Sequence, residues 1–309
     1  MKKYKNILVV IGLIILSGSI LSCSEKTAEK NEKLTIVTTT GMIADAVKNI
    51  TDTAANVVAL MGPGVDPHLY KATHGDLEKL SGADIIFYNG LHLEGKMAEI
   101  LEKLGKTKTV IPVSNGIPPN LLMTAPQFAN AHDPHIWFDV NLWTMAVEEI
   151  YNTLVRIDPA QKDYYERNTL AYIQKLDSLD QWVKNEIQSI PEERRVLITA
   201  HDAFGYFGKA YSIEAKGLQG ISTSSDFGLN DITGLVNFIV DKKIKAVFVE
   251  SSVSPKAIEA VIKGVQEKGH EISIGGTLYS DAMGAPGTFE GTYIGMVTSN
   301  VKKITSALK

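Results

Sequence analysis

The stretch that decides the fold is "DPAQKDYYERNTLAYIQKLDSLDQWVKNEIQSIPEE", residues 158–193. Asp158 is a favourable residue before a helix, Pro159 suits the first helical turn, and Pro191 lies just beyond the far end. One side carries an apolar stripe of Leu170, Ile173, Leu176, Leu179, Val183 and Ile187. The pattern predicts one helix of about 31 residues, about 46 Å long. Such a helix is longer than one small lobe, and we expect it to join two.

Short apolar strands alternate with helices on both sides of this stretch. Before it, strand patterns lie at 34–40, 56–61, 83–90 and 109–114. After it, they lie at 195–200, 213–218, 246–251 and 271–279. Alternation of this kind favours parallel strands covered by helices. The predicted fold is therefore α/β, with two lobes that are each a parallel sheet flanked by helices, joined by one long backbone helix.

The predicted boundaries follow from this alternation. We expect an N-terminal α/β lobe at 34–158, the linking helix at 159–190 and a C-terminal α/β lobe at 191–309. The chain of 309 residues is long enough for two ordinary domains or one large one, and its 44% apolar and 21% charged residues are typical of globular proteins. A formal net charge of −4 offers no electrostatic attraction for nucleic acid, so we expect no nucleic-acid partner.

The N-terminus has the pattern of an export signal. Lys2, Lys3 and Lys5 form a basic head, residues 7–16 are almost wholly apolar, and small residues lead to Cys23. The apolar run is short for a transmembrane helix, which needs roughly 20 residues. Because "ILSC" resembles a bacterial lipobox, we expect a signal peptide at 1–22 and a lipidated Cys23. An uncleaved signal anchor with an incidental cysteine is the alternative.

The use of cysteine supports the lipobox interpretation. Cys23 is the only cysteine of the chain, so no internal disulfide can form even in the oxidising compartments that exported proteins reach. A single thiol at the signal boundary is explained if it carries the lipid. Residues 23–33 contain almost nothing to bury and are expected to be a flexible tether. The protein is then exported and lipid-anchored to the cell envelope, facing the periplasm or the exterior.

Four residues with metal-ligating side chains follow predicted strands. The triplet Asp-Pro-His occurs twice and ends in His68 and in His135, which are 67 residues apart. His201 comes directly after the strand pattern at 195–200, and Asp281 follows the one at 271–279. Ligands of open parallel sheets bind beyond the carboxyl ends of the strands. The wide spacing excludes a compact zinc finger and favours a site assembled between the lobes.

Three imidazoles and one carboxylate suit first-row divalent metals such as zinc and manganese. Proline before His68 and before His135 fixes its own backbone φ and helps to hold each loop still. Further carboxylates are expected to orient the imidazoles, and the candidates by sequence position are Asp139, Asp202 and Glu250. His74 and His132 are weaker alternatives for the site, whereas His92 and His270 are expected to be structural or exposed.

Several motifs together resemble one known family. They are "VDPHLYKAT", "HDPHIWFDV", "ITAHDAFGYF", "KGLQGIST", "VFVESSVSPK" and "LYSDAMGAPGTFEGTYIGMV". The chain is similar, from about residue 34 to its C-terminus, to the TroA-type metal-binding lipoproteins of bacterial ABC importers for zinc and manganese. The resemblance implies two α/β lobes linked by a rigid helix, with the metal buried between them. At matching positions the implied ligands are His68, His135, His201 and Asp281.

The resemblance also implies a function and partners. The protein is expected to be a monomer that binds Zn²⁺ or Mn²⁺ as transported ligand, delivers it to an ABC permease and catalyses no reaction. Zinc-specialised relatives often carry a His-rich loop before the second ligand, where this chain has only His132 and Asp133. Manganese-specialised relatives commonly have Glu where this chain has His201. A metal-dependent hydrolase that uses the same residues, with Glu250 as general base, is the alternative function.

Overall fold

The N-terminal half contains one parallel sheet in the computed structural model, which describes residues 33–125 and 131–309. Its strands are β1 (Leu34–Thr38), β2 (Ala55–Ala59), β3 (Ile85–Tyr88) and β4 (Thr109–Pro112), in the order β2-β1-β3-β4. All three pairings are parallel. The sheet is flanked by helices α1 (Gly41–Thr51), α2 (His74–Gly82) and α3 (Ala98–Gly105). The parallel sheet that the alternation predicted for this half is confirmed.

Helix α2 was not predicted from the sequence. Only Asp76 and Leu80 are buried in it, so it has no apolar stripe to reveal it. It is stabilised at its start by a capping box, in which the Thr73 hydroxyl accepts from the backbone N–H of Asp76 and the Asp76 carboxylate accepts from that of Thr73. The helix therefore depends on local hydrogen bonds more than on burial.

The segment before the second Asp-Pro-His triplet is largely irregular. It contains short 3₁₀ turns and a small antiparallel pair, β5 (Thr124–Ala125) and β6 (Ala131–His132). Helix α4 (Val140–Ile157) then returns along the half. Its first turn is capped by Asp139, whose carboxylate accepts from the backbone N–H groups of Asn141 and Leu142.

The long linking helix is present as α5 (Lys162–Gln188), preceded by a 3₁₀ turn at Pro159–Gln161. Asp158 stands directly before this 3₁₀ turn, as predicted, but its side chain makes no capping hydrogen bond and instead accepts from the Tyr165 hydroxyl at 3.1 Å. The predicted stripe is wrong at Leu170, which is 56% exposed. The buried residues of α5 are instead Tyr165, Thr169, Tyr172, Leu176, Leu179, Asp180, Val183 and Ile187. Aromatic side chains had been left out of the predicted stripe.

The C-terminal half repeats the α/β pattern with less regular pairing. Strands β7 (Val196–His201) and β8 (Glu214–Gln219) form one parallel pair, and β9 (Ala246–Glu250) and β10 (Ser273–Leu278) form another. Strands β7 and β9 lie side by side. Four helices accompany them, α6 (Gly205–Tyr211), α7 (Leu229–Asp241), α8 (Lys256–Glu267) and α9 (Tyr293–Leu308). The predicted α/β class is confirmed in this half too.

The two halves share a hydrophobic core. The largest cluster of buried side chains runs from Ile36 in β1, through α5, to Leu308 in α9. Leu34–Lys309 form one compact unit, so the lobe boundaries 34–158 and 191–309 stay a prediction. Cys23, the predicted signal peptide and most of the predicted tether lie outside the described residues. Within the described ranges, no helix is both long and apolar enough to cross a lipid bilayer.

Candidate metal centre

The two Asp-Pro-His triplets have the same local structure. The Asp66 carboxylate accepts from the backbone N–H of His68 at 2.9 Å, and the Asp133 carboxylate accepts from that of His135 at 2.9 Å. An Asp side chain that accepts from the backbone two residues later closes a tight turn, and the intervening proline restricts its φ. Both histidines are therefore held on short rigid turns. Asp66 also accepts from the Thr223 hydroxyl at 2.6 Å, which ties its turn to the C-terminal half.

The four predicted residues converge on one buried point. His201 is the last residue of β7, and Asp281 lies three residues beyond the end of β10. One ligand atom from each of His68, His135, His201 and Asp281 lies within 4.8 Å of all the others. Because each side chain is at most 4% exposed, this is an interior cluster of titratable groups. The structure thus brings together the four residues that the sequence predicted as metal ligands.

The closest approaches in the cluster are those between potential ligand atoms. Nε2 of His68 lies 3.3 Å from Nε2 of His135. The two oxygens of Asp281 lie 3.4 Å from His135 Nε2 and 3.3 Å from His201 Nε2. Both Asp281 oxygens and His201 Nε2 are buried without a hydrogen-bond partner of good geometry among the described residues. Buried polar atoms of this kind need a compensating partner, and a cation at the centre would supply it.

Two carboxylates fix the orientation of two of the imidazoles. Nδ1 of His201 donates to Glu250 at 2.5 Å, and Nδ1 of His135 donates to Asp133 at 2.7 Å. With the proton on Nδ1, the lone pair of each ring is on Nε2, which faces the centre of the cluster. A carboxylate behind a histidine is a common arrangement in metal sites, where it sets the tautomer and raises the basicity of the ligand.

The outcomes for the predicted orienting carboxylates differ. Glu250 is confirmed, because it contacts His201 through both of its oxygens. Asp139 is wrong, because its carboxylate caps α4. Asp202 makes no side-chain hydrogen bond to either imidazole within the described ranges. Asp133 was missed in this role, although its place two residues before His135 is visible in the sequence.

The remaining histidines lie outside the cluster of four. His74 is exposed at the start of α2, where it approaches Glu78 at 3.4 Å. His132 belongs to the short strand β6, and Nε2 of His270 donates to the Ile244 carbonyl at 2.6 Å. The weaker alternatives His74 and His132 are thus not part of the described cluster.

The cluster is electrostatically coupled. Burial disfavours the charged form of His135, but the carboxylates of Asp133 and Asp281 outweigh burial and raise the pKa of His135 to about 9. Burial has the same effect on His201, and there Glu250 and Asp281 raise the pKa well above the ordinary value. Burial lowers the pKa of His68 to about 3, because the nearby Asp281 only partly compensates. Imidazolium neighbours outweigh burial at Asp281 and hold its pKa well below the ordinary value.

The raised pKa values of His135 and His201 and the lowered pKa of Asp281 have one cause, the attraction between positive imidazolium and negative carboxylate in the metal-free cluster. A divalent cation supplies the same kind of positive charge to the same carboxylate. The donor set, three imidazole nitrogens and one carboxylate, has the chemistry that zinc and manganese accept. The arrangement can therefore exchange protons for a metal ion without leaving Asp281 uncompensated.

Known proteins are similar to this chain in sequence and in fold. The family model ZnuA, described as zinc-uptake complex component A, periplasmic, matches residues 36–307. The manganese-binding lipoprotein MntA of Bacillus subtilis is 50% identical over 94% of this chain and 95% of its own length. The zinc-binding protein TroA of Treponema pallidum is 49% identical over 97% of this chain and 96% of its own length.

Structural comparison agrees with the sequence relationship. The solved structure of the periplasmic zinc-binding protein TroA from Treponema pallidum has a TM-score of 0.87 and 51% sequence identity. The aligned region covers 89% of this chain and 99% of the solved chain. Because the family model spans most of the chain and two relatives match along nearly their full lengths, the protein described here belongs to the ZnuA/TroA family of solute-binding proteins.

Proposed function

We propose that this chain is the extracytoplasmic binding component of a bacterial ABC importer for a divalent metal, zinc or manganese. It captures the ion at His68, His135, His201 and Asp281 and delivers it to a permease in the cytoplasmic membrane. The observation that carries the proposal is the convergence of four buried side chains whose ligand atoms lie within 4.8 Å of one another. Relatives at about half identity are a manganese-binding and a zinc-binding protein, which supports both metals as candidates.

The hydrolase alternative receives no support from the site. A metal-dependent hydrolase needs an open coordination position for water and a general base beside it. The candidate base was Glu250, but both of its oxygens accept hydrogen bonds from His201. All four ligand side chains are buried, which suits holding an ion more than admitting an organic substrate. We therefore infer that the protein binds its cargo and catalyses no reaction.

The proposal includes a monomer held at the envelope by a lipid. Relatives are named lipoproteins, and the "ILSC" motif places the acylated residue at Cys23. The tether of residues 23–33 then separates the anchor from the folded unit, which begins at Leu34. The protein would face the periplasm or the exterior, where it can bind metal and meet its permease.

Direct metal titration tests the function. Protein that begins after Cys23 is stripped of metal with a chelator and titrated with Zn²⁺ and with Mn²⁺ against a competing chelating dye. We expect one tightly bound ion per chain, and at least tenfold weaker binding in His135→Ala, since loss of a hydrogen-bond partner behind a ligand already costs on the order of 10–100-fold. His270→Ala is the matched control, because His270 is outside the cluster and contacts a backbone carbonyl. Full binding by His135→Ala would exclude this site.

A further inference from the structure

One side chain connects the loops of two proposed ligands. Trp137 lies two residues after His135, and its indole is almost completely buried. Its ring meets the His135 ring edge-on, with centroids 5.2 Å apart. Its Nε1 donates to the backbone carbonyl of Ser280 at 3.0 Å, across 143 residues of sequence. Because Ser280 directly precedes Asp281, Trp137 contacts one ligand loop with its ring and the other with its N–H.

Both ends of this connection are held in place. The Tyr293 hydroxyl donates to the Trp137 carbonyl at 2.7 Å, which anchors the tryptophan backbone to α9. Ser280 is fully buried, and its hydroxyl lies 3.0 Å from that of Ser252. A buried hydrogen bond between two anchored groups defines their separation, because breaking it would leave an unsatisfied N–H in the interior.

We propose that Trp137 is a positioning residue for the metal centre, which sets Asp281 in its place opposite His135 through the hydrogen bond to the Ser280 carbonyl. This inference rests on the proposed function, since it assumes that His135 and Asp281 share an ion. The residue touches no metal itself. It acts by fixing how far the carboxylate reaches into a centre whose other three donors are imidazoles.

The positioning affects the two metals unequally. Asp281 is the only oxygen donor among the four residues, and carboxylate donors suit manganese whereas imidazole donors suit zinc well. A displaced Asp281 therefore removes the one donor on which manganese depends most, while zinc keeps three nitrogens. Loss of the Trp137 hydrogen bond should lower manganese affinity more than zinc affinity. General loosening of the core would weaken both metals alike.

The variant Trp137→Phe removes the N–H and keeps a buried aromatic ring. Trp182→Phe is the control, because Trp182 lies on α5, packs against the main core and neither stacks on nor hydrogen-bonds to Trp137, Tyr293 or the four proposed ligands within the described ranges. Dissociation constants for Zn²⁺ and Mn²⁺ are measured for the parent and both variants at one pH and ionic strength. We expect Trp137→Phe to lose on the order of tenfold in manganese affinity and clearly less for zinc. Trp182→Phe should keep the parental ratio of the two constants.

A parental ratio in folded Trp137→Phe, or the same change in Trp182→Phe, overturns the inference. If Trp137→Phe does not fold, Tyr293→Phe decides, since it removes the hydroxyl that anchors the Trp137 carbonyl. A shift toward zinc in that variant supports the inference, and an unchanged ratio overturns it. Failure of the parent to bind either metal would refute the proposed function instead, so the two failures are distinguishable.

Discussion

His201 and Glu250 are joined twice at the ends of neighbouring strands. The backbone N–H of His201 donates to one carboxylate oxygen at 2.9 Å, and its Nδ1 donates to the other at 2.5 Å. The pair lies at the ends of β7 and β9, so the strand geometry sets both the position and the tautomer of the imidazole. Nε2 of His201 is thereby left as the nitrogen that can ligate a metal, and it lies 3.3 Å from an oxygen of Asp281.

Replacement of this carboxylate should weaken metal binding without altering the ligand set. Glu250→Gln keeps the shape but provides a neutral acceptor, so the imidazole becomes less basic and less firmly oriented. We expect an affinity loss on the order of 10–100-fold for zinc. Competition with a chelator measures the zinc affinity. Glu259→Gln is the control, because Glu259 is exposed and the substitution changes the charge by the same amount. Parental affinity in Glu250→Gln would mean that the orienting contact is dispensable.

Metal affinity should keep rising with pH beyond the range of an ordinary histidine, whose pKa is about 6.5. Asp133 and Asp281 overcome burial and raise the pKa of His135 to about 9, so a proton must leave before its Nε2 can bind metal. We expect affinity to increase up to about pH 9, with protons released at pH 7.5. Calorimetry in buffers of different ionisation enthalpy gives the number of protons released on metal binding. A plateau from pH 7 upward would contradict the raised pKa.

The stability of the metal-free protein should change with pH in the opposite direction. The pKa of His135 is raised in the folded state, so its stabilising contribution is complete below the unfolded value near ~6.5. The contribution is lost as the pH rises through about 9. The melting temperature of metal-free protein should therefore fall over this interval. His135→Ala removes the group and should flatten this part of the profile.

Two ligand variants should differ when no metal is present. Asp281→Ala leaves the imidazoles of His135 and His201 without their shared carboxylate, which should lower the unfolding free energy by about 1–3 kcal/mol. His68 is neutral at pH 7, because burial lowers its pKa to about 3. His68→Ala should therefore change the unfolding free energy of the metal-free protein little. Both variants should lose most of the metal-induced stabilisation, which is about 4 kcal/mol at a thousandfold excess over Kd. Thermal melts with and without zinc measure both effects.

Exchange of the third proposed ligand should change selectivity. His201→Glu replaces a nitrogen by a carboxylate oxygen and adds a negative charge, which favours manganese relative to zinc. We expect the zinc preference over manganese to decrease, while zinc affinity itself falls because Glu250 loses its imidazole partner. The measurement is the ratio of the two dissociation constants at one pH. An unchanged ratio would place His201 outside the coordination shell.

Attachment to the membrane should depend on Cys23 and metal binding should not. Cys23→Ser removes the thiol that the lipid would modify, and the tether separates this residue from the fold, which begins at Leu34. We expect the variant to leave the membrane fraction and to bind metal like the parent. Retention in the membrane with an uncleaved N-terminus would support the signal-anchor alternative instead.

Much of the fold and all four residues of the candidate site were predictable from the sequence. Local apolar patterns predict the alternation of strands and helices. The repeated Asp-Pro-His triplet forms its own turn, because the Asp side chain accepts from the backbone N–H of the histidine two residues later. Strand ends are visible in the sequence, so residues that follow them can be identified as candidates. These features depend on neighbours in the chain, which is why a single sequence was enough.

The tertiary structure alone decided how those residues act together. Asp139 and Glu250 were equal candidates by position, and only the packing made one a helix cap and the other the partner of His201. The contact of Trp137 with Ser280 spans 143 residues and has no local signal. The raised pKa of His201 likewise depends on Glu250, which is 49 residues away in sequence and lies 2.5 Å from its Nδ1. Such relationships arise where distant strand ends meet, because long-range packing sets distances that local sequence patterns do not encode.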